Sequence, residues 1–126
     1  MNDRFKFRVW DKERKCFFNN DEVVIYPNGE ESFFNADYDF TECVVEQCTG
    51  LKDKNGKLIY EWDILKCVHS DIMKYKIYWG RSCWRMKVYG TGNEIVDDTH
   101  LFLDTTTLEV IGNIHENPEL LEKNNE

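Results

Sequence analysis

A run of alternating side chains between residues 73 and 89 constrains the fold of this chain more than any other feature. Apolar or aromatic residues occupy every second position on both sides of the turn at 80–82. They are Met73, Tyr75, Ile77 and Trp79 before the turn and Trp84, Met86 and Val88 after it. Because successive side chains of a strand point to opposite faces, the pattern predicts a hairpin that buries one face. We expect this hairpin to be the centre of the hydrophobic core.

The rest of the chain also favours strands over helices. Residues 4–9 alternate basic and apolar side chains, which predicts a half-buried strand with one basic face. Turn residues follow at 27–29 and at 53–56, where an Asn-Gly pair tolerates the positive φ that a tight hairpin turn needs. Gly112 indicates a bulge in a last strand. We therefore expect a mainly β fold, a small barrel or roll.

A short helix is expected near residue 118. Asn117 is of a residue type that caps helices, and Pro118 suits the first helical position. At 126 residues the chain is about one domain long. We divide that domain into an N-terminal β region at 1–48, a barrel-like part with the short helix at 49–121, and a frayed tail at 122–126.

Charge is arranged in blocks along the chain, whose formal net charge is -8. Residues 1–15 carry +3, residues 16–51 carry -8, residues 52–93 carry +5, and residues 94–126 carry -8. Such blocks indicate a folded surface with a basic and an acidic region. One interpretation is that acidic residues gather in solvated loops and in the C-terminal tail. The other is a polar surface that steers a charged partner or contacts another subunit.

The cysteines and the N-terminus favour a cytoplasmic protein. Five cysteines are an odd number, and no apolar signal-peptide core follows the first residues. Reduced thiols fit this pattern better than a disulfide framework, and no apolar run is long enough to cross a membrane. Cys67 and His69 would share a strand face and offer two metal ligands, but no other residues are spaced to complete a site. We expect neither a metal nor a cofactor.

Three stretches of the chain together resemble one protein family. They are KFRVWD at 6–11, TGLKDKNG at 49–56 followed by IYEWDI at 59–64, and IGNIHENPEL at 111–120. In this order they are similar to the YopX-like family of bacteriophage and prophage proteins. The family pattern usually has Gly at the position of Trp62, and Gly there suits a tight turn.

The resemblance implies a mainly β protein that contains an SH3-like barrel, is carried by a phage genome and self-associates. It implies no catalytic residue, because the family has no established catalytic role. We interpret the shared motifs as architecture, namely a hairpin turn at 55–56 and a capped helix at 117–118.

The first functional hypothesis is a non-enzymatic accessory protein that assembles with itself or binds a host protein. Exposed aromatic residues such as Trp62 and Tyr89 would anchor such a contact. Segments of opposite charge could pair head-to-tail between subunits. An acidic chain could also imitate nucleic acid and block a host protein that binds DNA or RNA.

The second hypothesis is a module that binds nucleic acid or a nucleotide. The solvent face of the hairpin would present basic side chains beside aromatic ones, namely Lys74, Lys76, Arg85 and Lys87 with Tyr78 and Tyr89. Cations that track phosphates and rings that stack on bases are typical of single-strand binding. The acidity of the whole chain opposes this function, and a plain solvated sheet face explains the same pattern.

The third hypothesis is a metal-assisted hydrolase that uses Asp53, Glu61 and Asp63. Glu61 and Asp63 are two residues apart, so on a strand they would share a face, as Mg²⁺ ligands must. No base, nucleophile or phosphate-binding loop accompanies these acids, and acids that flank a turn commonly serve solubility. The sequence therefore favours an interaction protein over an enzyme.

Overall fold

The computed structural model describes residues 6–18, 23–25, 31–33, 43–101 and 105–122, and these form eleven strands and one 3-10 helix, Pro118–Leu121. The strands are β1 (Phe7–Asp11), β2 (Cys16–Phe17), β3 (Val23–Ile25), β4 (Glu31–Phe33), β5 (Cys43–Lys52), β6 (Leu58–Tyr60), β7 (Asp63–Cys67), β8 (Ser70–Gly80), β9 (Cys83–Tyr89), β10 (Ile95–His100) and β11 (Leu108–Asn113). The prediction of a mainly β fold is confirmed. Within the described residues, no helix has the length and apolar character needed to span a membrane.

Two antiparallel sheets hold most of the strands. The larger sheet has the order β10-β9-β8-β7-β11 and curls like half of a barrel. The smaller sheet has the order β2-β1-β5-β6, and β3 pairs separately with β4. Strand β5 runs through the boundary that we placed between residues 48 and 49. The division of the domain into those parts stays a prediction.

Strands β8 and β9 form the predicted hairpin. Their register joins Tyr75 to Val88, Ile77 to Met86 and Trp79 to Trp84. The alternating apolar side chains therefore share one face, as predicted. The middle of this face packs into the core cluster of Ile59, Leu65, Ile77, Met86, Leu101 and Leu108. Its two ends are uncovered, because Met73 and Trp79 are exposed.

The opposite face of the hairpin is not the solvated surface that we predicted. Arg85 and Tyr89 are each only 6% exposed. This face is covered by Asp98 on β10, which pairs with Arg85, and by the turn residue Trp62, whose ring lies under the Lys76 ammonium. The alternation identified which side chains share a face, but both faces of this sheet are partly covered.

The two-residue turn between β8 and β9 is strained. Arg81 has a φ of 51° and Ser82 a φ of 63°. A two-residue hairpin turn of this kind needs positive φ at both positions, which is why Asn and Gly are preferred there. A side chain with a Cβ in this conformation costs about 1–2 kcal/mol.

Replacing Ser82 with glycine is expected to stabilise the protein by about 1 kcal/mol, since glycine adopts positive φ without a steric penalty. Thermal unfolding should show a melting temperature roughly 3–5 °C higher. The matched control is Gly56→Ala, at a φ of 79° with open space around the added Cβ, which should lower the melting temperature. An unchanged or lower melting temperature for Ser82→Gly would contradict the strain.

Other local predictions had mixed outcomes. The bulge at Gly112 is confirmed, because the pairing of β11 with β7 shifts between Val110 and Gly112. The short helix begins where we predicted, with Asn117 at the N-cap position and Pro118 in the first turn. The Asn117 side chain, however, makes no cap hydrogen bond and instead accepts one from the N–H of Asn113 at 3.3 Å. The turn predicted at 27–29 lies outside the described residues.

The N-terminal strand was predicted to have one basic face, and this is wrong for Arg8. Its neighbour Val9 is buried as expected, and Lys6 is exposed. The Arg8 side chain is only 18% exposed, because it pairs with buried carboxylates of β5 and β7. The strand face that carries Arg8 is therefore partly buried, although its side chains alone indicated a solvent-exposed face.

Candidate functional site

The basic residues predicted on the hairpin lie together on one sheet face, but they are already bonded to neighbours. Arg85 Nε lies 3.2 Å from Asp98 Oδ1, and the Tyr78 hydroxyl donates to the same carboxylate at 2.6 Å. The hydrogen bond from Tyr78 and the charge of Arg85 hold the pKa of Asp98 below its ordinary value, although burial opposes this shift. This carboxylate therefore stays charged and neutralises Arg85.

Each of the three lysines of this face also contacts a neighbouring group of the protein. Lys74 Nζ donates to the carbonyl oxygen of Leu120 at 2.8 Å. The Lys76 ammonium lies 5.7 Å from the ring centroid of Trp62. The Lys87 ammonium lies 5.4 Å from that of Tyr78. Nucleic-acid bases need open aromatic ring faces for stacking. Because the rings of Trp62 and Tyr78 already have lysine ammonium groups over them, this arrangement favours a structural role for these side chains over nucleic-acid binding.

Trp62 has the backbone conformation that the family pattern suggests for glycine at this position. Its φ is 68°, in the left-handed region, and its ring stacks on Tyr78 at 6.3 Å between centroids. The Trp62 N–H donates to Ile77, and its carbonyl accepts from the N–H of Ile114. The residue is half-buried. Tyr89, the other aromatic that we expected to be exposed, is buried against the Lys76 side chain.

An apolar cleft with a volume of about 620 Å³ opens at one end of the other face of this sheet, the face that carries the alternating apolar side chains of the hairpin. It is lined by Cys67, Met73, Tyr75, Met86, Val88, Val96, Asp97, Thr99, Thr107 and Leu108. Met73 and Val96 lie at its rim and are 36% and 48% exposed. A cleft of this size with few polar groups is typical of binding sites.

Sequence reasoning missed this cleft because it assigned the whole apolar hairpin face to the core. The face is longer than the part that Ile59, Leu101 and Leu108 cover. The signal present in the sequence was the length of this row of large apolar side chains, with four before the turn and three after it.

A second apolar feature lies at the turn end of the same face. Trp79 is 53% exposed and makes an edge contact with Trp84, with ring centroids 5.2 Å apart. The exposed Arg81 follows directly in the turn. We call Trp79, Arg81 and Trp84 the hairpin tip. Trp and Arg are the residue types most often found at the energetic centre of protein interfaces.

A buried charge cluster connects the two sheets. Its members are Arg8, Glu46, Asp63 and His115. Arg8 Nε donates to Glu46 at 2.7 Å and Arg8 Nη2 donates to Asp63 at 2.8 Å. His115 Nε2 bonds to the other oxygen of Glu46, a pair that is ionic only when the imidazole is protonated. Three of the four members lie in the stretches that carry the family resemblance, which supports their interpretation as architecture.

Aromatic rings pack around the buried charge cluster. Arg8 lies between the rings of Phe17 and Tyr60, at 4.6 and 4.7 Å, and Trp10 stacks on His115 at 4.8 Å. Burial raises the pKa of the Asp63 carboxyl, although Arg8 opposes this shift. Glu46 is fully buried. Such a cluster links the two sheets, and loss of the cation would leave the buried carboxylates without their counter-charge.

A polar cavity of about 400 Å³ borders the cluster. It is lined by Arg8, Phe17, Lys57, Asp63, Val110, Ile111, Gly112, Asn113, Glu116 and Asn117. The Asn113 side chain donates to Glu116 at 2.8 Å and accepts from the N–H of His115 at 3.0 Å. These polar groups therefore already bond to one another around the bend after β11.

The acids of the hydrolase hypothesis do not converge on a common point. Asp53 accepts hydrogen bonds from the N–H groups of Asn55, Lys57 and Val110, each at 2.9 Å. Asp63 bonds to Arg8 and to the N–H of Tyr60, and Glu61 lies in a turn instead of a strand. Within the described part of the chain, no three His, Cys, Asp or Glu side chains are grouped to hold a metal ion.

The cysteines are free thiols, and Cys48 is the buried one. Cys67 ends β7, whereas His69 lies beyond it in a turn. The two side chains therefore do not sit at alternate positions of one strand, as the metal interpretation required. Cys67 instead lines the apolar cleft.

Comparison with known proteins identifies the family. The model of the family described as YopX protein matches residues 6–122. The crystal structure of protein EF1440 from Enterococcus faecalis is similar, with a TM-score of 0.54 and 29% identity, covering 93% of this chain and 97% of that one. No curated protein matches the chain. With both sheets, the buried charge cluster and the Trp62 turn inside the matched residues, the chain belongs to the YopX family.

Proposed function

We propose that this protein is a non-enzymatic interaction protein and that the apolar cleft is its binding surface. Membership of the YopX family suggests an association with phage or prophage, in which a small accessory protein would act by contacting itself or a host factor. The observation that carries the proposal is the cleft itself, an apolar depression of about 620 Å³. A mostly apolar cleft of this volume is the default candidate for a binding site.

The chemistry of the cleft defines its partner. Met73 and Met86 are flexible and adapt to different apolar shapes. Asp97 contributes a negative charge at the margin, and Thr99 and Thr107 offer hydroxyl groups. The expected partner is a protein segment with a large apolar side chain next to a basic one. The opposite sheet face is the weaker candidate, because its cations and rings already contact one another.

The experiment places the same charge on the two faces of one strand. Val96 and Ile95 are neighbours on β10 with exposed fractions of 48% and 57%, but only Val96 is among the side chains that line the cleft. Val96→Glu should abolish capture of a protein partner from host lysate and abolish self-association, whereas Ile95→Glu should preserve both. Mass spectrometry identifies captured proteins, and light scattering measures the assembly state.

Two results would refute this proposal. One is capture that is equal for the wild type and both variants, which would place binding elsewhere. The other is a wild-type protein that is monomeric and captures nothing. Circular dichroism of each variant confirms that the fold is intact, as expected for exposed positions at the edge of a sheet.

A further inference from the structure

We propose that the occupant of the cleft is the hairpin tip of a second copy of this chain, so that the protein associates tip-to-cleft. This inference rests on the proposed function, because it names the partner of the same cleft. It is carried by the pairing of two uncovered features on one sheet face. One is a protruding aromatic and basic group, and the other is an apolar depression with an acidic margin.

The hairpin tip has the properties of a ligand. Trp79 projects with 53% of its surface exposed, and its ring is oriented by edge contact with Trp84. Arg81 lies two positions further along the chain, in the two-residue turn, where its φ is 51°. Because the tip is held in place by a short turn and a paired strand, little conformational freedom is lost on binding.

The cleft has the complementary properties. Its lining is mostly apolar, and its methionines can adapt to an indole ring. Asp97 is exposed at its margin, where it can pair with the basic Arg81 of the incoming tip. Arg81 on the tip and Asp97 at the cleft margin are therefore opposite in charge, and such complementarity favours specific association.

A single chain cannot fill its own cleft with its own tip. Met73 lines the cleft and Trp79 lies six positions along the same strand, β8. At about 3.3 Å per residue, these side chains are roughly 20 Å apart. Ile77 lies between them and is fully buried in the core. The contact must therefore form between two molecules.

Pairing through the open edge of β10 is disfavoured. The pairing of β10 with β9 contains a bulge between Ile95 and Asp97. The N–H of Asp98 already donates to the side chain of Asp97 at 2.8 Å. Bulges and edge charges are devices that prevent sheets from joining edge to edge. Association is thus expected to use the face of the sheet.

The decisive experiment uses two variants that each lose one half of the contact. Trp79→Ala removes the tip and Val96→Glu blocks the cleft, so each protein alone should associate at least about 30-fold more weakly than the wild type in sedimentation velocity. An equimolar mixture should form a mixed complex, because the intact cleft of the first accepts the intact tip of the second. Ile95→Glu should behave like the wild type.

A charge exchange tests the orientation. Arg81→Glu and Asp97→Lys should each weaken association, and the double variant should recover it because the two charges are again opposite. Wild-type association in the single variants, or a mixture of Trp79→Ala and Val96→Glu that stays monomeric, would overturn the inference. If the wild type is monomeric while Val96→Glu still loses a captured host protein, the inference fails and the proposed function stands.

Discussion

Replacing Arg8 with methionine is expected to lower the free energy of unfolding by about 3–5 kcal/mol, the cost of removing one partner from a buried ion pair. Arg8 donates to Glu46 and Asp63, which are 0% and 1% exposed, and to the carbonyl of Glu61. Without the guanidinium, both carboxylates lose their main counter-charge. Urea unfolding followed by tryptophan fluorescence measures the loss.

Two further variants make this result interpretable. Arg8→Lys keeps the charge but lacks the planar fork that serves both carboxylates, so its stability should fall between those of the wild type and Arg8→Met. Lys66→Met breaks an ion pair with Glu109 that is more than a third exposed at the lysine, and should cost less than about 1 kcal/mol. Equal losses of the free energy of unfolding in Lys66→Met and Arg8→Met would show that burial does not determine how much the cluster stabilises the fold.

Replacing Asp53 with alanine is expected to cost about 2–4 kcal/mol. Its buried carboxylate accepts from three backbone N–H groups, two in its own turn and one at Val110 on β11. Each buried donor without an acceptor costs about 1–3 kcal/mol, partly recovered where water replaces the carboxylate. Asp53→Asn keeps one acceptor oxygen and should lose less. Glu119→Ala, at an exposed position, should change stability by less than about 0.5 kcal/mol.

The Asp53 variants should also differ from the wild type in a way that depends on pH. Burial alone raises the pKa of Asp53, but the N–H groups of Val110, Lys57 and Asn55 outweigh it, and the pKa lies below its ordinary value. A carboxyl whose pKa is lower in the folded state stabilises the fold above its unfolded pKa of about 3.9. That contribution is lost as the pH falls through the folded pKa. The stability difference between wild type and Asp53→Asn should therefore shrink below about pH 4, and a constant difference would contradict this assignment.

Much of the local structure could be predicted from the sequence because the controlling interactions are local. Alternation at 73–89 was enough to place the hairpin and to say which side chains share a face. Gly112 indicated its bulge, because a residue without Cβ was needed where Asn117 approaches closely. Strand β10 was missed, since the acidic stretch 95–100 has no clean alternation and depends on pairing with β9.

The environment of each face could not be predicted in the same way. Whether a strand face meets solvent depends on which distant segments cover it, as the burial of Arg85 by Asp98 shows. The buried charge cluster is the extreme case: Glu46 is 38 residues from Arg8 and 69 residues from His115. No pattern within a strand indicates such contacts. The candidate cleft was hidden for the opposite reason, because the described residues leave part of a predicted core face uncovered.

The long sequence separations inside the buried charge cluster also bear on synthesis at the ribosome. A nascent chain that has emerged only as far as residue 100 already contains Arg8, Glu46 and Asp63, but it lacks His115 and the whole of β11. Asp53 then has no Val110 N–H to accept, and β7 has one unpaired edge. Arg8 can already bond to Asp63 across the two sheets at that stage, but Glu46 gains its contact with His115 only once the segment around residue 115 has left the exit tunnel. Completion of the cluster therefore follows translation of nearly the whole matched region.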